Sequence, residues 1–397
     1  MNSVYDAAIV GGGPSGLYAA RLLAERGLKV VLLEKKAEIG ADVICTGIVG
    51  REIFREFSLP SDSVLNDLQT IKLTLSSSRA LTYRHPAPFA VIVDRKKFDQ
   101  DLTRQAQKAG VEIELGCRVN NLSLEQDFVR IEAGVGARQA RRISARIAVL
   151  ATGNDYQLHK KAGLGYPKDF LLGIQTELAQ AGGKIPTVFI GKDFAPGGFA
   201  WAVPAGDMNK IGLVTKARPR CCFRHFVRRF YPDVQPEILS QSSNIKAIAQ
   251  GLVSHSYGER VLALGEAAGQ VKTTTGGGIY YGLHCAQIAA GVILKSYRAG
   301  SFHAQRLAEY ERLWKASLKK EILVGYYARK IYARLSQSQI ERLFELAQTD
   351  GILPLVRREG NFDWQSDLLM DLFKRASVFH IVQAVLKRPS FDRRDFS

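Results

Sequence analysis

The stretch Val10-Gly11-Gly12-Gly13-Pro14-Ser15-Gly16 lies between a short apolar segment and a segment with helical periodicity. The preceding residues 5–10 are apolar and β-prone, and residues 17–27 carry apolar side chains at helical spacing before a final glycine. The sequence therefore predicts a strand, a tight turn and a helix in this order.

The spaced glycines of this stretch have separate roles in such a turn. Gly11 permits the turn, Gly13 lets the backbone approach a pyrophosphate, and Gly16 lets the helix pack on the strand. A second predicted strand, residues 29–33, delivers Glu34 at the usual distance of about 20 residues for hydrogen bonding to an adenosine ribose. Because strand, turn, helix and acid agree, the motif predicts a dinucleotide site rather than a glycine-rich loop that binds nothing.

The residues after Glu34 indicate which dinucleotide is bound. An NAD domain would continue as repeated βαβ units, whereas this chain breaks off into the irregular stretch 40–48. This interruption favours FAD.

Length and composition are those of an ordinary soluble globular protein with several subdomains. The 397 residues are 46% hydrophobic and 23% charged. No apolar run approaches the length of a membrane span, and the first residues lead into a strand without a signal-peptide pattern. We therefore expect a cytoplasmic protein.

The chain is strongly basic, with 55 Lys and Arg against 38 Asp and Glu and a formal charge of +17. This excess indicates an anionic partner such as membrane headgroups, a diphosphate-bearing substrate or nucleic acid. An arginine-rich helix is predicted over residues 218–231, and we interpret it as packed on the core with a solvated basic face. Nucleic-acid binding is not expected, since no groove-reading motif accompanies it. Five cysteines without a CxxC pair argue against a disulfide framework and a zinc site, and no metal is expected.

The order of predicted elements divides the chain into three parts. Alternating residues in 71–75 and 81–83 predict strands of a second sheet, residues 91–102 open a predicted helix that ends at Gly110, and residues 166–251 are mostly β. From residue 301 the pattern is helical and amphipathic. The expected domains are a discontinuous FAD-binding domain (1–58, 92–165 and 255–300), a β-rich substrate domain (59–91 and 166–254) and a C-terminal helical domain (301–397).

A second glycine-bounded turn occurs late in the chain. Residues 261–269 read as a strand followed by a small-residue turn, and residues 273–279 are glycine-rich and precede a predicted helix. A helix N-terminus of this kind can hold the other end of a dinucleotide.

Together with two other segments, these turns resemble a flavoprotein group that includes aromatic hydroxylases, flavin halogenases and geranylgeranyl reductases. The segments are the first glycine turn with Glu34, Asp94-Arg95 followed by Phe98-Asp99, and residues 265–269 with their glycine-rich sequel. The resemblance implies an α/β fold with a Rossmann-like FAD-binding domain of the aromatic-hydroxylase type, an interleaved β-sheet substrate domain and a C-terminal helical region.

Within that group, residues 196–204 resemble the PxxYxWxFP stretch of geranylgeranyl reductases, and Cys45 resembles a cysteine that this family places near the flavin. Phe199 stands where the family usually has Tyr, Val203 where it has Phe, Glu266 where it often has Asp, and Thr273 where Pro is common. Loss of the Tyr hydroxyl removes a polar contact, while Val203 widens the pocket. Glu266 keeps the acceptor charge.

The resemblance also implies a set of site residues. Catalytic positions would be Cys45, Phe199 and Trp201, and the substrate pocket would include Gly47, Val203 and Pro204. The residues expected to bind the cofactor are Gly11, Gly13, Pro14, Ser15, Gly16, Glu34, Lys35, Arg95, Ala151, Thr152, Gly153, Gly265, Glu266, Gly276, Gly277, Gly278 and Ile279. The alternatives are an ordinary surface pair of Arg95 with Asp99, a buried inert thiol for Cys45, and plain sheet core for Phe199 and Trp201.

The activity implied by the resemblance is hydride transfer from reduced FAD to a carbon-carbon double bond of a long isoprenoid. Electrons would come from NAD(P)H or from a protein donor such as ferredoxin, since a second GxGxxG unit is not visible. The basic surface would suit a diphosphate or an anionic membrane at its inner face. One alternative is a flavin monooxygenase or halogenase, whose Trp-x-Trp-x-Ile-Pro stretch resembles residues 199–204 with Phe for the first Trp. The other is a prenyl-binding carrier without catalysis.

Overall fold

The computed structural model describes residues 4–75, 79–135, 138–179, 183–234 and 244–386. The first sheet has eight strands: β1 Tyr5–Val10, β2 Val30–Leu33, β8 Glu112–Glu114, β9 Cys117–Leu124, β10 Val129–Val135, β11 Arg138–Leu150, β17 Tyr257–Gly258 and β18 Val261–Ala263. Six of them lie in the order β17-β18-β11-β1-β2-β8, with β10 and β9 attached beyond β11.

The centre of this sheet is parallel. Ala7 of β1 pairs with Val30 of β2 on one side and with Ile147 of β11 on the other. All of β2 is buried and nearly all of β1, which is why these strands read as continuous apolar runs. Their carboxyl ends meet at one edge, where ligands bind in open α/β sheets.

Helices cover the sheet and continue to the C-terminal part. They are α1 Pro14–Ala24, α2 Ile53–Glu56, α3 Arg95–Lys108, α4 Gln157–Lys161, α5 Pro219–Phe230, α6 Ile279–Arg298, α7 Ala304–Arg334, α8 Gln337–Thr349, α9 Ile352–Glu359, α10 Ser366–Lys374 and α11 Ala376–Leu386, with a 3₁₀ turn at Gly265–Ala268. Helices α1, α3, α6 and α7 share one apolar core with β1 and β2, in which Tyr310 and Trp314 are fully buried.

A second sheet has seven strands: β5 Thr70–Thr74, β6 Ala80–Arg84, β12 Asp169–Ala179, β13 Thr187–Phe189, β14 Phe199–Ala205, β15 Met208–Thr215 and β16 Asn244–Gln250. Their order in the sheet is β16-β12-β15-β14-β13-β5-β6. Helix α5 packs on it through Phe223, Phe226 and Val227, while Arg220, Arg224 and Arg228 are exposed. This is the core-packed helix with a basic outer face that the sequence predicts.

A third, three-stranded sheet corrects one prediction. It consists of β3 Ile48–Gly50, β4 Val64–Leu68 and β7 Ala90–Val93, in the order β3-β7-β4. The prediction that residues 91–102 open a helix is wrong for the first three of them, because Val91, Ile92 and Val93 belong to β7. This strand is buried between two distant partners, and Asp94 then caps α3 by accepting hydrogen bonds from the Lys96 and Lys97 amides.

Among the described residues, the longest helices are too polar to meet the requirements for a membrane-spanning segment.

Candidate functional site

A cavity of about 700 Å³ lies between the two large sheets. On one side its wall comes from the carboxyl ends of β1, β2 and β11, and on the other from β12, β14, β15 and β16. Its volume is in the range of sites that enclose small molecules and cofactors.

The N-terminus of α1 opens into this cavity. Its N-cap is Gly13, which offers no side chain to the free amides of the first turn. Gly11 has a φ of +115°, and a Cβ atom there would lie 2.3 Å from the Ala151 carbonyl oxygen. A Cβ on Gly16 would lie 2.2 Å from the Gly11 oxygen, whereas a Cβ on Gly13 would meet nothing within 4 Å. Gly11 and Gly16 therefore allow close packing. Gly13 leaves open space beside free amides, where an anion binds well.

Glu34 stands at the end of β2 beside this space. Its Oε2 accepts a hydrogen bond from the Gly12 amide at 2.6 Å, and its Oε1 accepts one from the Lys36 amide at 2.9 Å. Each carboxylate oxygen retains a lone pair for a further donor. The two amides hold the carboxylate so that it can accept hydrogen bonds from the hydroxyl groups of a ribose.

The N-terminus of α6 opens into the same cavity. Its N-cap is Gly278, again without a side-chain cap. The preceding loop closes on itself, since the Lys272 amide donates to the Gly277 oxygen at 2.8 Å and the Gly276 amide donates to the Lys272 oxygen at 2.7 Å. We call residues 272–278 the glycine loop. Two positive helix ends thus face one cavity.

Glu266, at the 3₁₀ turn before the glycine loop, also lines the cavity. Its Oε2 forms a 2.7 Å ion pair with Nζ of Lys246, which projects from β16 of the second sheet. The pair joins the two sheets across the cavity. Lys246 was not predicted from the sequence, since it lies on a different sheet, 20 positions before Glu266.

Cys45 lies in the irregular stretch between β2 and β3 and faces the cavity. The Gly47 amide donates to its Sγ at 3.4 Å. Two side chains of the second sheet hold the backbone of this loop: Gln175 Nε2 donates to the Cys45 oxygen at 3.3 Å, and Lys210 Nζ lies 3.5 Å from the Thr46 oxygen. The loop thus follows a strand of the first sheet but is anchored to the second sheet.

Arg95 is next to Cys45 and is buried with its counter-ion. Its Nη2 lies 3.1 Å from both Asp99 carboxylate oxygens, and the two side chains are only 10% and 4% exposed. The pair of Arg95 with Asp99, which the sequence offered as an ordinary surface contact, is present, but it lies inside the cavity wall rather than on the surface. Burial raises the pKa of Asp99 although Arg95 opposes the shift.

The thiol of Cys45 is more acidic than usual. Burial opposes its ionisation, but the positive charge of Arg95, the Gly47 amide and Lys210 together outweigh burial and lower the pKa of Cys45. A thiol in this setting is both a better nucleophile and a better proton donor than an inert core cysteine.

Trp201 and Phe199 project from β14 into the cavity, with ring centroids 5.9 Å apart. The Trp201 ring covers Gly212, where a Cβ would lie 2.5 Å from a ring carbon. Its Nε1 donates to Gln175 Oε1 at 3.3 Å. Gln175 therefore connects the aromatic wall to the backbone of Cys45.

Comparisons with known proteins agree with this geometry. Residues 4–170 match the family model described as FAD binding domain. The chain carries an FAD-binding domain. It is 26% identical over 358 residues to digeranylgeranylglycerophospholipid reductase of Methanocaldococcus jannaschii, covering 87% of this chain and 91% of the relative. It is 28% identical over 355 residues to the protein of that name from Methanocella arvoryzae, covering 85% and 90%.

Solved structures share the fold of this flavoprotein. A geranylgeranyl bacteriochlorophyll reductase-like protein from Thermoplasma acidophilum has a TM-score of 0.81 at 20% identity and covers 97% of this chain and 98% of its own. A flavin-dependent brominase has a TM-score of 0.72 at 17% identity, covering 93% and 98%. The expected fold class, the FAD cofactor and the resemblance to the geranylgeranyl reductases are confirmed.

The residues around the cavity fit FAD. A pyrophosphate would fit in the space that Gly13 leaves beside free amides, and Glu34, held by the Gly12 amide, would accept from the adenosine ribose. The glycine loop would hold the flavin end, with Glu266 and Arg95 on the same wall. Bound FAD would supply hydride chemistry there.

Most of the predicted site residues line the FAD cavity, and three do not. Gly265 lies behind the wall and supports helix packing, since a Cβ there would be 2.8 Å from Ser15 Oγ. Gly47 has a φ of +83° and packs against the Val93 carbonyl oxygen, away from the cavity. The carbonyl of Pro204 accepts from Asn66 Nδ2 at 3.5 Å outside the cavity. The predicted residues on the wall are Gly11, Gly13, Pro14, Ser15, Gly16, Glu34, Lys35, Cys45, Arg95, Ala151, Thr152, Gly153, Phe199, Trp201, Val203, Glu266, Gly276, Gly277, Gly278 and Ile279.

Several residues of the cavity wall were not predicted from the sequence. Gln175 and Lys246 come from strands that were predicted only in outline, and Phe362 and Asp363 come from the part regarded as a separate helical region. No local signal marks them, because each acts through a partner far away in the chain.

Proposed function

We propose that this protein is an FAD-dependent reductase that saturates carbon-carbon double bonds of a geranylgeranyl or related isoprenoid chain. The substrate would be a prenyl diphosphate, a prenylated lipid or a prenylated quinone. The observation that carries the proposal is the largely apolar wall that the second sheet presents to the cavity. The similarity to relatives named digeranylgeranylglycerophospholipid reductases over most of their length supports it.

The apolar wall fits a long hydrocarbon chain. It consists of side chains from six strands and is interrupted by only a few polar groups. An isolated alkene has no carbonyl group to polarise, so the protein must keep water away and hold the chain against the flavin. The apolar side chains on this wall are Ile71, Ile174, Val188, Phe199, Trp201, Val203, Val214, Ile245 and Ile248.

Reduction of the alkene requires a hydride at one carbon and a proton at its neighbour. Cys45 is the proposed proton source, directly or through a water molecule that it orders. The cationic surroundings that lower its pKa bring its acidity closer to the operating pH, which favours general acid catalysis. Arg95 and Gln175 would position it, the first through charge and the second through the loop backbone.

The other partners and the domain roles belong to the same proposal. The discontinuous domain would hold FAD and the second sheet would hold the substrate, while NAD(P)H or a protein donor such as ferredoxin would reduce the flavin again. The apolar side chains Met370 and Phe379 are 41% and 48% exposed on α10 and α11, and Lys374, which pairs with Asp371, and Arg375 lie between them in the chain. We propose that this face touches an anionic membrane surface. Binding to vesicles with anionic lipid should then fall strongly in high salt, and binding that salt does not change would contradict this part.

The deciding experiment is anaerobic reduction of the protein with dithionite, followed by addition of geranylgeranyl diphosphate or a geranylgeranylated lipid and mass analysis of the product. We expect two hydrogens to be gained at each reduced double bond. If the reduced, FAD-loaded protein adds no hydrogens to any of these substrates, the proposal is wrong. Rapid oxygen uptake with an aromatic substrate would then indicate the monooxygenase or halogenase class, and a protein that binds a prenyl chain but no FAD would be a carrier.

A further inference from the structure

A short segment of the C-terminal part reaches the FAD cavity. Phe362 and Asp363, between α9 and α10, line its wall beside the glycine loop. Tyr281 of α6 donates a hydrogen bond from its hydroxyl to the Asp363 carbonyl oxygen at 3.0 Å. The segment is therefore part of the cavity and not an appendage.

The contact between this segment and the glycine loop is a buried ion pair. Lys272 Nζ lies 2.6 Å from Asp363 Oδ1, donates to the Phe362 oxygen at 3.2 Å and lies 4.0 Å from the centroid of the Phe362 ring. The side chains of Lys272 and Asp363 are only 6% and 2% exposed. Burial of two charges costs free energy, and a pair of similar shape made of apolar residues is often no less stable. A purely structural role does not require charge here.

Lys272 and Asp363 both line the cavity at the glycine loop, the proposed flavin end. The Lys272 side chain folds over its own loop, since a Cβ on Gly277 would be 3.0 Å from its Cε. Asp363 Oδ2 is buried without a hydrogen-bond partner among the described residues, and it points at Gly50, where a Cβ would be only 2.2 Å away. Burial lowers the pKa of Lys272, while Asp363 and Glu52 favour its charged form.

We propose that Lys272 is a positioning residue for the bound flavin, with its ammonium group as a fixed positive charge at the glycine loop and Asp363 of the C-terminal segment as the counter-ion that holds it there. The proposal rests only on the FAD-binding part of the proposed function. It does not depend on the identity of the alkene.

The expected chemical effect follows from charge. A reduced flavin carries more negative charge than the oxidised form when it does not take up a compensating proton. A fixed cation beside it therefore favours the reduced form and raises the reduction potential, because a low-dielectric site strengthens the interaction.

The test compares Lys272→Met with Lys272→Arg and with Lys320→Met. Lys320 of α7 forms an ion pair with Asp367 of α10, a second contact within the C-terminal part, but that pair is 61% and 83% exposed. The affinity for FAD is measured by fluorescence titration, and the midpoint potential by equilibration with a reference dye. We expect Lys272→Met to bind FAD at least tenfold more weakly and to shift the oxidised-to-reduced equilibrium about tenfold towards the oxidised form, or about 30 mV for a two-electron couple. Lys272→Arg should retain most of the FAD affinity and of the midpoint potential. Lys320→Met should match the wild type in both quantities.

Two results would overturn the proposal. One is a Lys272→Met protein with wild-type affinity and potential, and the other is an equal loss in Lys320→Met, which would show that the C-terminal contacts only support the fold. Circular dichroism of each variant identifies misfolded protein, and Lys272→Gln, which removes the charge but keeps a polar side chain, supplies the measurement of potential if Lys272→Met does not fold. Inability of the wild type to reduce a prenyl chain would leave these results unchanged, so the two proposals fail separately.

Discussion

The Trp201 indole Nε1 donates a hydrogen bond to Gln175 Oε1 at 3.3 Å, within the wall of the FAD cavity. Because the other end of the same amide holds the Cys45 carbonyl oxygen, one side chain sets both the aromatic wall and the cysteine loop. Loss of the amide would leave the indole nitrogen unpaired and free the loop.

Replacement of Gln175 by Leu should lower kcat for alkene reduction about tenfold, or about 1.4 kcal/mol in the barrier, with a smaller change in KM. The loosened loop should also expose Cys45, so its alkylation by iodoacetamide should become faster. Glu177→Gln is the matched control, since Glu177 is exposed on the same strand. Unchanged kcat and alkylation in Gln175→Leu would show that the bridge does not position Cys45.

Gly13→Ala and Gly11→Ala should fail in different ways. A Cβ on Gly13 meets no protein atom and its φ of −79° is ordinary, so the variant should lose less than about 1 kcal/mol of folding stability but bind FAD poorly. Gly11→Ala should lose about 1–3 kcal/mol because of its positive φ and the nearby Ala151 oxygen. Urea unfolding and FAD titration measure the two effects. Tight FAD binding by Gly13→Ala would contradict the pyrophosphate position.

Arg95→Met should raise the pKa of the Cys45 thiol, since it removes the nearest positive charge. The pH midpoint of Cys45 alkylation, followed by peptide mass spectrometry to separate it from the other cysteines, should move to higher pH. Lys97→Met, a change on the exposed side of α3, should leave the pH midpoint of Cys45 alkylation unchanged. An unchanged midpoint in Arg95→Met would exclude Arg95 as the cause.

The same shift has a consequence for stability. Because the folded pKa of Cys45 lies below its usual value, the folded protein binds fewer protons than the unfolded chain in the alkaline range. The stabilisation is therefore complete above the usual thiol pKa and is lost as the pH falls through the folded pKa. Denaturant titrations at several alkaline pH values should show that the free energy of unfolding depends less on pH in Arg95→Met than in the wild type.

Cys45→Ala should retain FAD but reduce the alkene at least tenfold more slowly, with Cys45→Ser intermediate, because the acidic proton beside the substrate is lost. Cys221→Ala, a change at an exposed thiol on α5, should behave as the wild type. If rate and product pattern were the same in Cys45→Ala, its proposed role would be withdrawn.

Local sequence determined the nucleotide-binding core of this protein. The strand predicted over residues 5–10 has those bounds in the structure, and the glycine turn and Glu34 follow as expected, because strand, turn and helix N-terminus are each specified by neighbouring residues. The strands predicted near residues 71–75 and 81–83 also form, in the second sheet.

Tertiary structure alone decided which side chains meet around the cavity. Residues 91–93 form a strand because β3 and β4 flank them, although the residues that follow favour a helix. Gln175 reaches Cys45 across 130 positions of the chain, and Asp363 reaches Lys272 across 91. Such pairs depend on how sheets and helices pack against each other, and a local sequence pattern carries no record of a partner that distant.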